Sequence, residues 1–245
     1  MRYLITFSYD GTNYNGYQKQ LNKNTIQDQI ENALNKITSN KIIIHASGRT
    51  DSKVHALNQK AHFDLDKKYD LYKLKKSINS LIPEDIHISK IEVVDNDFHA
   101  RFNIKEKEYI YKLNVGEYNP IDRNYVYQYN KELDLDKMIE ASKYLLGEHN
   151  FKSFTKIDEE KDDYVRTISQ TNLIRDPKNL NKITLVFVGT GFLRYMVRNM
   201  VGVLIAVGEG KLRSEEVIEI LKKEDRKAAC KTANPEGLYL KNVFY

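Results

Sequence analysis

The sequence contains only one cysteine, Cys230, among its 245 residues. No disulfide can therefore form within the chain, and the chain alone cannot supply several thiolates to a zinc ion. Long apolar runs are also missing, because the longest, residues 200–207, lies between Arg198 and Glu209 and is far shorter than a membrane span. The opening residues MRYLITFSYD lack the apolar core of a signal peptide. We therefore expect a cytoplasmic protein that does not span a membrane.

The overall composition is that of a folded protein. Hydrophobic residues make up 41% and charged residues 30%, a balance unlike that of disordered chains. The length allows one large domain or two modest ones. The formal net charge of +5 suits an acidic partner, since clustered Lys and Arg neutralise phosphates and release counterions. The charge alone leaves the partner open, because frequent Lys, Ile and Asn can equally reflect genome composition.

Residue periodicity predicts two helices and at least four strands in the first hundred residues. Thr25 is the expected N-cap of the first helix, with Asp28 three residues later, and a second helix ends before Pro83. The first strand alternates, with its apolar side formed by Tyr3, Ile5, Phe7 and Tyr9. The predicted strands are residues 3–9, 41–45, 59–65 and 86–94, and the predicted helices begin near residues 26 and 71.

The second half shows a similar order of strands and helices. The predicted elements are strand 108–115, helix 134–146, a hairpin of 165–174 with 183–188, helices 192–207 and 214–223, and strand 238–244. No linker rich in Pro, Gly or Ser divides the halves. We therefore predict an α+β protein of two similar lobes, residues 1–102 and 103–245, that share a sheet or a close interface.

The sharpest chemical signal is the segment GRTDSKVHA, residues 48–56, between two predicted strands. It places the Asp51 carboxylate in a polar loop beside Arg49, so Asp51 is a candidate nucleophile or base. A purely structural alternative is that Asp51 caps a turn and pairs with Arg49.

This segment resembles the signature loop of the tRNA pseudouridine synthase A family, which reads GRTD, one variable residue, then GVHA, and whose aspartate is essential. Other segments are similar to the family's motifs and follow in the family's order across almost the whole chain. They are YDGTNYNGYQKQ, DFHARFNIKEKEYIYKL, FLRYMVRNMVG and NPEGLYL.

The resemblance implies an enzyme that isomerises uridine to pseudouridine in the anticodon stem-loop of tRNA, acts as a homodimer, and needs neither a cofactor nor a metal. It also implies two ferredoxin-like-derived lobes that form an extended antiparallel sheet with helices on one side. Residue by residue, it makes Asp51 the nucleophile and Arg198 the partner of that carboxylate. It places Tyr109 against the target uracil and Leu238 in the wall of the pocket.

The reaction explains why these residue types are needed. Uridine becomes pseudouridine when the bond from ribose C1′ to base N1 breaks and a bond to C5 forms, which requires no redox agent. An ionised carboxylate can attack the base, attack the sugar, or remove a ribose proton on the way to a glycal, and the residues leave these routes open. A nearby arginine favours the ionised carboxylate. Because a stacked base cannot react, basic residues should hold the RNA while the base is flipped out. Candidates for this contact are Arg49, Lys53, Lys105, Lys107 and Arg194.

Lys53 departs from the family pattern, which has glycine at this position. Glycine adopts a positive φ freely, whereas lysine does so at a cost of about 1 to 2 kcal/mol. Either the loop is reshaped, or Lys53 adds a contact to an RNA phosphate and marks an altered substrate.

Three alternatives remain open at the level of sequence. The substrate of the same reaction can be ribosomal RNA, which the unusual Lys53 favours. The chain can also be a catalytically silent RNA-binding module that keeps the fold. A hydrolase using Asp51 with a histidine is disfavoured, because a serine or cysteine nucleophile motif and metal-ligand spacing are missing.

Overall fold

A computed structural model describes residues 1–156 and 163–245. Contacts divide the chain into two compact units, which we call the first unit (Met1–Lys105 with Tyr239–Tyr245) and the second unit (Glu106–Leu238). The predicted lobes, 1–102 and 103–245, had grouped the closing segment with the second half. That segment instead lies with the first unit, because its strand pairs with a strand of the first half.

The first unit follows a ferredoxin-like order of elements. Its sheet runs β4-β1-β3, and both β2 and β10 pair with β3. The pairs within β1 to β4 are antiparallel, as in the ferredoxin-like βαββαβ arrangement, whereas β10 pairs with β3 in parallel. The elements are β1 (Arg2–Tyr9), α1 (Ile26–Thr38), β2 (His45–Ala46), β3 (His55–Asp64), α2 (Leu71–Leu81), β4 (Ile86–Val94) and β10 (Leu238–Phe244).

Alternation along β1 builds the core of the first unit. The predicted apolar side is confirmed, since Tyr3, Ile5 and Phe7 are fully buried. The ring of Tyr3 stacks on that of Phe63 in β3, with 5.7 Å between centroids. Each such side chain contributes about 1.5 to 3 kcal/mol by leaving water, so the register of this sheet is strongly specified.

The second unit repeats part of this pattern. Its sheet runs β7-β8-β9-β5-β6, and α3 lies between β5 and β8 in the chain as α1 lies between β1 and β2. The expected α+β class is confirmed, and the strands of each unit include one parallel pair, β10 with β3 in the first unit and β5 with β6 in the second. The elements are β5 (Glu106–Asn114), β6 (Tyr127–Gln128), α3 (Leu135–Lys143), β7 (Gly147–Asn150), β8 (Val165–Asp176), β9 (Asn179–Gly189), α4 (Met196–Gly208) and α5 (Glu216–Lys223).

Several local predictions were wrong in detail. Thr25 is the N-cap of α1 but its side chain makes no capping bond; instead the carbonyls of Gly16 and Tyr17 accept from the first amides of the helix, at 3.3 and 3.0 Å. Residues 41–44 are not part of a strand. Helix α4 begins at Met196 rather than at residue 192, because Tyr195 adopts a left-handed backbone with φ of 64°.

None of the helices in residues 1–156 and 163–245 has the length and apolar character needed to cross a bilayer.

Candidate active site

Asp51 lies in the loop of the first unit that leads into β3. It is half-buried, next to buried Thr50. Thr50 anchors the loop twice: a buried hydrogen bond of 2.8 Å joins its hydroxyl to that of Tyr9, and its carbonyl accepts from the amide of Tyr17 at 3.1 Å. The amide of Val54 donates to the carbonyl of Asp51 at 3.2 Å and closes a turn around the carboxylate. The backbone that carries Asp51 is therefore fixed before any substrate arrives.

The segment 10–17 forms a support for this loop. The carbonyl of Tyr14 accepts from the Ser52 hydroxyl at 3.0 Å and from the Lys53 amide at 3.3 Å. Gly16 has φ of 95°, and a Cβ atom there would lie 2.8 Å from the carbonyl oxygen of Thr50. Only glycine meets both conditions, so the motif YDGTNYNGYQKQ contains a residue that the Asp51 loop requires.

Lys53 adopts the left-handed conformation, with φ of 63°. This is a backbone region that glycine adopts freely, so the loop contains a turn of the kind that glycine favours, with lysine in it. The lysine side chain is exposed, as is Arg49 on the other side of Asp51. Two cations thus flank the carboxylate along the loop.

His55, which follows in the same motif, is fully enclosed by protein. Only 2% of it is exposed, and its ring stacks on Tyr239 of β10 at 4.6 Å. Its Nδ1 accepts from the amide of Gly11 at 3.1 Å and lies 3.2 Å from a carboxylate oxygen of Asp10. These contacts give His55 a structural role in joining the loop, the support segment and β10.

Tyr109 and Arg198 lie in the second unit. Tyr109, on β5, is buried and meets the ring of Phe192 edge to face, with 4.9 Å between centroids. Arg198, on α4, is half-buried and its Nε donates to the carbonyl of Ala233 at 2.8 Å. Its guanidinium also lies 5.3 Å from the ring of Tyr195. Both side chains are held by neighbours that restrict their movement.

The segment leading to Leu238 joins these two elements within the second unit. The Tyr111 hydroxyl on β5 donates to the carbonyl of Asn234 at 2.7 Å, next to the Ala233 carbonyl that binds Arg198. Burial raises the pKa of Tyr111 well above its usual value, so the phenol stays a neutral donor. Leu238 is buried where this segment enters β10. The adjacent carbonyls of Ala233 and Asn234 therefore hold Arg198 and β5 against the same segment.

The predicted site residues thus fall into two groups. The first unit carries Arg49, Asp51 and Lys53, and the second carries Tyr109, Arg198 and Leu238. Among residues 1–156 and 163–245, no three His, Cys, Asp or Glu side chains are placed to bind one metal ion.

Sequence reasoning missed how the side chains around Arg198 are arranged. The Tyr195 ring contacts two guanidinium groups, with that of Arg194 at 5.0 Å and that of Arg198 at 5.3 Å from the ring centroid. The aromatic residue between two arginines in FLRYMVRNMVG was the only available signal for this contact. Nothing in the sequence pointed to the carbonyl of Ala233.

The chain is similar to a known protein family over most of its length. A family profile described as tRNA pseudouridine synthase matches residues 5–103 and 141–245. The chain is 44% identical to tRNA pseudouridine synthase A of Limosilactobacillus reuteri over 248 residues, covering all of this chain and 96% of that protein. It is 41% identical to the proteins of the same name from Anoxybacillus flavithermus and Streptococcus equi subsp. equi, in each case over all of this chain and 98% of the relative. The chain therefore belongs to the tRNA pseudouridine synthase family.

Proposed function

We propose that this protein isomerises uridine to pseudouridine in the anticodon stem-loop of tRNA, with the Asp51 carboxylate as nucleophile. Membership of the family makes the chain an isomerase that acts on tRNA. The observation that carries the role of Asp51 is its position in a GRTD loop whose backbone is held from both sides, by Thr50 and by Val54. A nucleophile on such a preorganised turn loses little freedom when it reaches the transition state.

Arg198 and Tyr109 complete the proposed chemistry. The guanidinium of Arg198 favours the ionised form of the catalytic carboxylate. Its contacts with Ala233 and Tyr195 support this role, because they hold the guanidinium in one orientation. Tyr109 holds the detached uracil while it turns from N1 to C5. The contact with Phe192 supports this role, since a fixed ring is a better stacking surface.

The flipped-out base requires that the protein hold the RNA backbone on either side of it. We assign this contact in the first unit to Arg49 and Lys53, whose side chains are both exposed. In the second unit, Leu238 lines the pocket for the base. Phosphate contacts of this kind supply most of the affinity and little of the sequence preference.

Two further features belong to the proposal. The homodimer follows from the resemblance of the sequence to the family. A cytoplasmic location agrees with the single cysteine and with a nucleic-acid substrate.

The test is to incubate wild type and Asp51→Asn separately with unmodified tRNA and with ribosomal RNA, and to map pseudouridine chemically. Wild type should modify tRNA. Asp51→Asn should lose at least about a thousandfold in turnover, because the nucleophile is gone. Its dissociation constant for tRNA should change by less than about threefold, because phosphate contacts remain.

Asp66→Asn is the matched control, since Asp66 is an exposed carboxylate of the same unit outside the loop, and it should retain full turnover. Modification of ribosomal RNA alone would overturn the tRNA assignment. Full turnover by Asp51→Asn would overturn the role of Asp51, and an inactive wild type that binds tRNA would favour the silent RNA-binding module.

A further inference from the structure

Arg226 organises a loop that no part of the proposed chemistry uses. Its guanidinium donates to the carbonyls of Ala229 and Cys230, at 3.1 and 3.2 Å. It also donates to the hydroxyl of Thr232 at 2.9 Å and to Oδ1 of Asn199 at 3.0 Å. A planar fork that reaches four acceptors fixes the path of residues 226–232 in a way that a lysine ammonium cannot reproduce.

Asn199 connects this loop to α4, directly beside Arg198. It is 1% exposed, its amide donates to the carbonyl of Phe154 at 2.7 Å, and its Oδ1 accepts from the Thr232 hydroxyl at 2.7 Å as well as from Arg226. Polar networks that are anchored on a buried side chain, here Asn199, are rigid when every member is satisfied. The network therefore holds residues 226–232 in one position relative to α4.

The same loop ends at the carbonyl that binds Arg198. A Cβ atom on Gly202 of α4 would lie 2.1 Å from the Lys231 carbonyl oxygen, so the segment runs directly against the helix. The amide of Ala233 donates to the carbonyl of Arg198 at 3.1 Å, and the carbonyl of Ala233 accepts from Nε of Arg198 at 2.8 Å. The position of the Ala233 carbonyl thus depends on the loop that Arg226 shapes.

We infer that Arg226 is a positioning residue for the isomerisation. Through the network with Asn199 and Thr232, it fixes the position of the Ala233 carbonyl, and this carbonyl orients the guanidinium of Arg198. The inference rests on the proposed function, because it assumes that Arg198 acts in the reaction. A misplacement of about 1 Å in a reacting group can cost on the order of a hundredfold in rate. Replacement of the Arg226 guanidinium by a lysine ammonium should therefore lower turnover, even though the positive charge is kept.

The experiment measures kcat, KM and tRNA affinity for Arg226→Lys, Arg198→Lys and the double variant. Arg226→Lys should lower kcat by on the order of 10- to 100-fold, with tRNA affinity changed less than about threefold. In the Arg198→Lys background, Arg226→Lys should cause no further loss, because both changes remove the same interaction. Arg175→Lys is the matched control, since Arg175 also donates to two backbone carbonyls of the second unit, those of Leu180 and Leu133, and it should keep wild-type kcat.

A smaller change guards against misfolding of Arg226→Lys. Thr232→Val removes the hydroxyl that Asn199 and Arg226 share, whereas Thr232→Ser keeps it. The valine variant should have a lower kcat than wild type, and the serine variant should have the wild-type kcat. The melting temperatures of the two variants should be similar. Equal kcat for valine and serine, or an additive loss in the double variant, would overturn the inference. Full turnover by Arg198→Lys would instead overturn the proposed role of Arg198.

Discussion

Lys53→Gly tests both the backbone and the charge of the loop that carries Asp51. Lys53 has φ of 63° and an exposed side chain, so its replacement removes no buried contact. The hydrogen bond from its backbone amide to the Tyr14 carbonyl remains in every variant except proline. The substitution therefore isolates two quantities, the strain of a left-handed lysine and the contribution of its ammonium to RNA binding.

The expected change in stability is small and positive. A left-handed conformation costs a residue with a Cβ about 1 to 2 kcal/mol, which glycine avoids. Glycine loses about 0.5 to 1 kcal/mol more than other residues in chain entropy on folding. The free energy of unfolding should thus rise by about 0.5 to 1 kcal/mol. In a chain of this size, each kcal/mol raises the melting temperature by about 2 to 4 °C.

The expected change in RNA binding is a shallower salt dependence. Each phosphate contact contributes about 0.7 to 0.9 to the slope of log K against log salt concentration, and the loss of one cation should reduce the slope by that amount. Lys53→Ala removes the charge but keeps the strain, and Lys53→Asn removes the charge in a residue that tolerates a positive φ. Urea unfolding should rank glycine first, asparagine next, and alanine near wild type.

Two results would refute this reasoning, one for each quantity. If Lys53→Gly is no more stable than Lys53→Ala, the left-handed backbone imposes no cost on lysine. If the salt slope for tRNA is unchanged in all three variants, Lys53 does not contact a phosphate, and its side chain is only a solvated charge.

Two further perturbations test the support of the loop and a buried histidine. Gly16→Ala places a methyl group at a positive φ against the carbonyl of Thr50. The free energy of unfolding should therefore fall by about 1 to 3 kcal/mol, and turnover should fall as well. An unchanged melting temperature and an unchanged kcat would contradict this close approach. Burial, aided by the charge of His99, lowers the pKa of His62 to about 4. Since an unfolded histidine titrates near 6.5, the unfolded state binds the extra proton between these values, and stability should fall as the pH drops from about 6.5 to about 4. His62→Asn keeps an acceptor for the amide that donates to Nδ1 and removes the titration, so an equally steep fall in this variant would assign the effect to other groups.

Local signals were sufficient where one face of an element meets the core. The alternation of residues 3–9 predicted β1, and the apolar spacing before Pro83 predicted α2, because burial imposes its period directly on the sequence. The hairpin of β8 and β9 and the strand β10 were predicted for the same reason. The bounds of β10 are as predicted, and the strands of the hairpin extend up to four residues beyond the predicted ranges. Ends of elements were less predictable, since Tyr195 stops α4 through its own backbone conformation.

The sequence by itself determined the α+β class, the family, and the candidate residues for the reaction, because motif residues and periodicity are local properties of the chain. Only the tertiary structure decided that β10 pairs with β3, that Lys53 takes a left-handed turn, and that the carbonyl of Ala233 orients Arg198. These features depend on backbone groups from segments far apart in sequence. Every residue has the same carbonyl and amide, so side-chain identity cannot reveal which of them will meet.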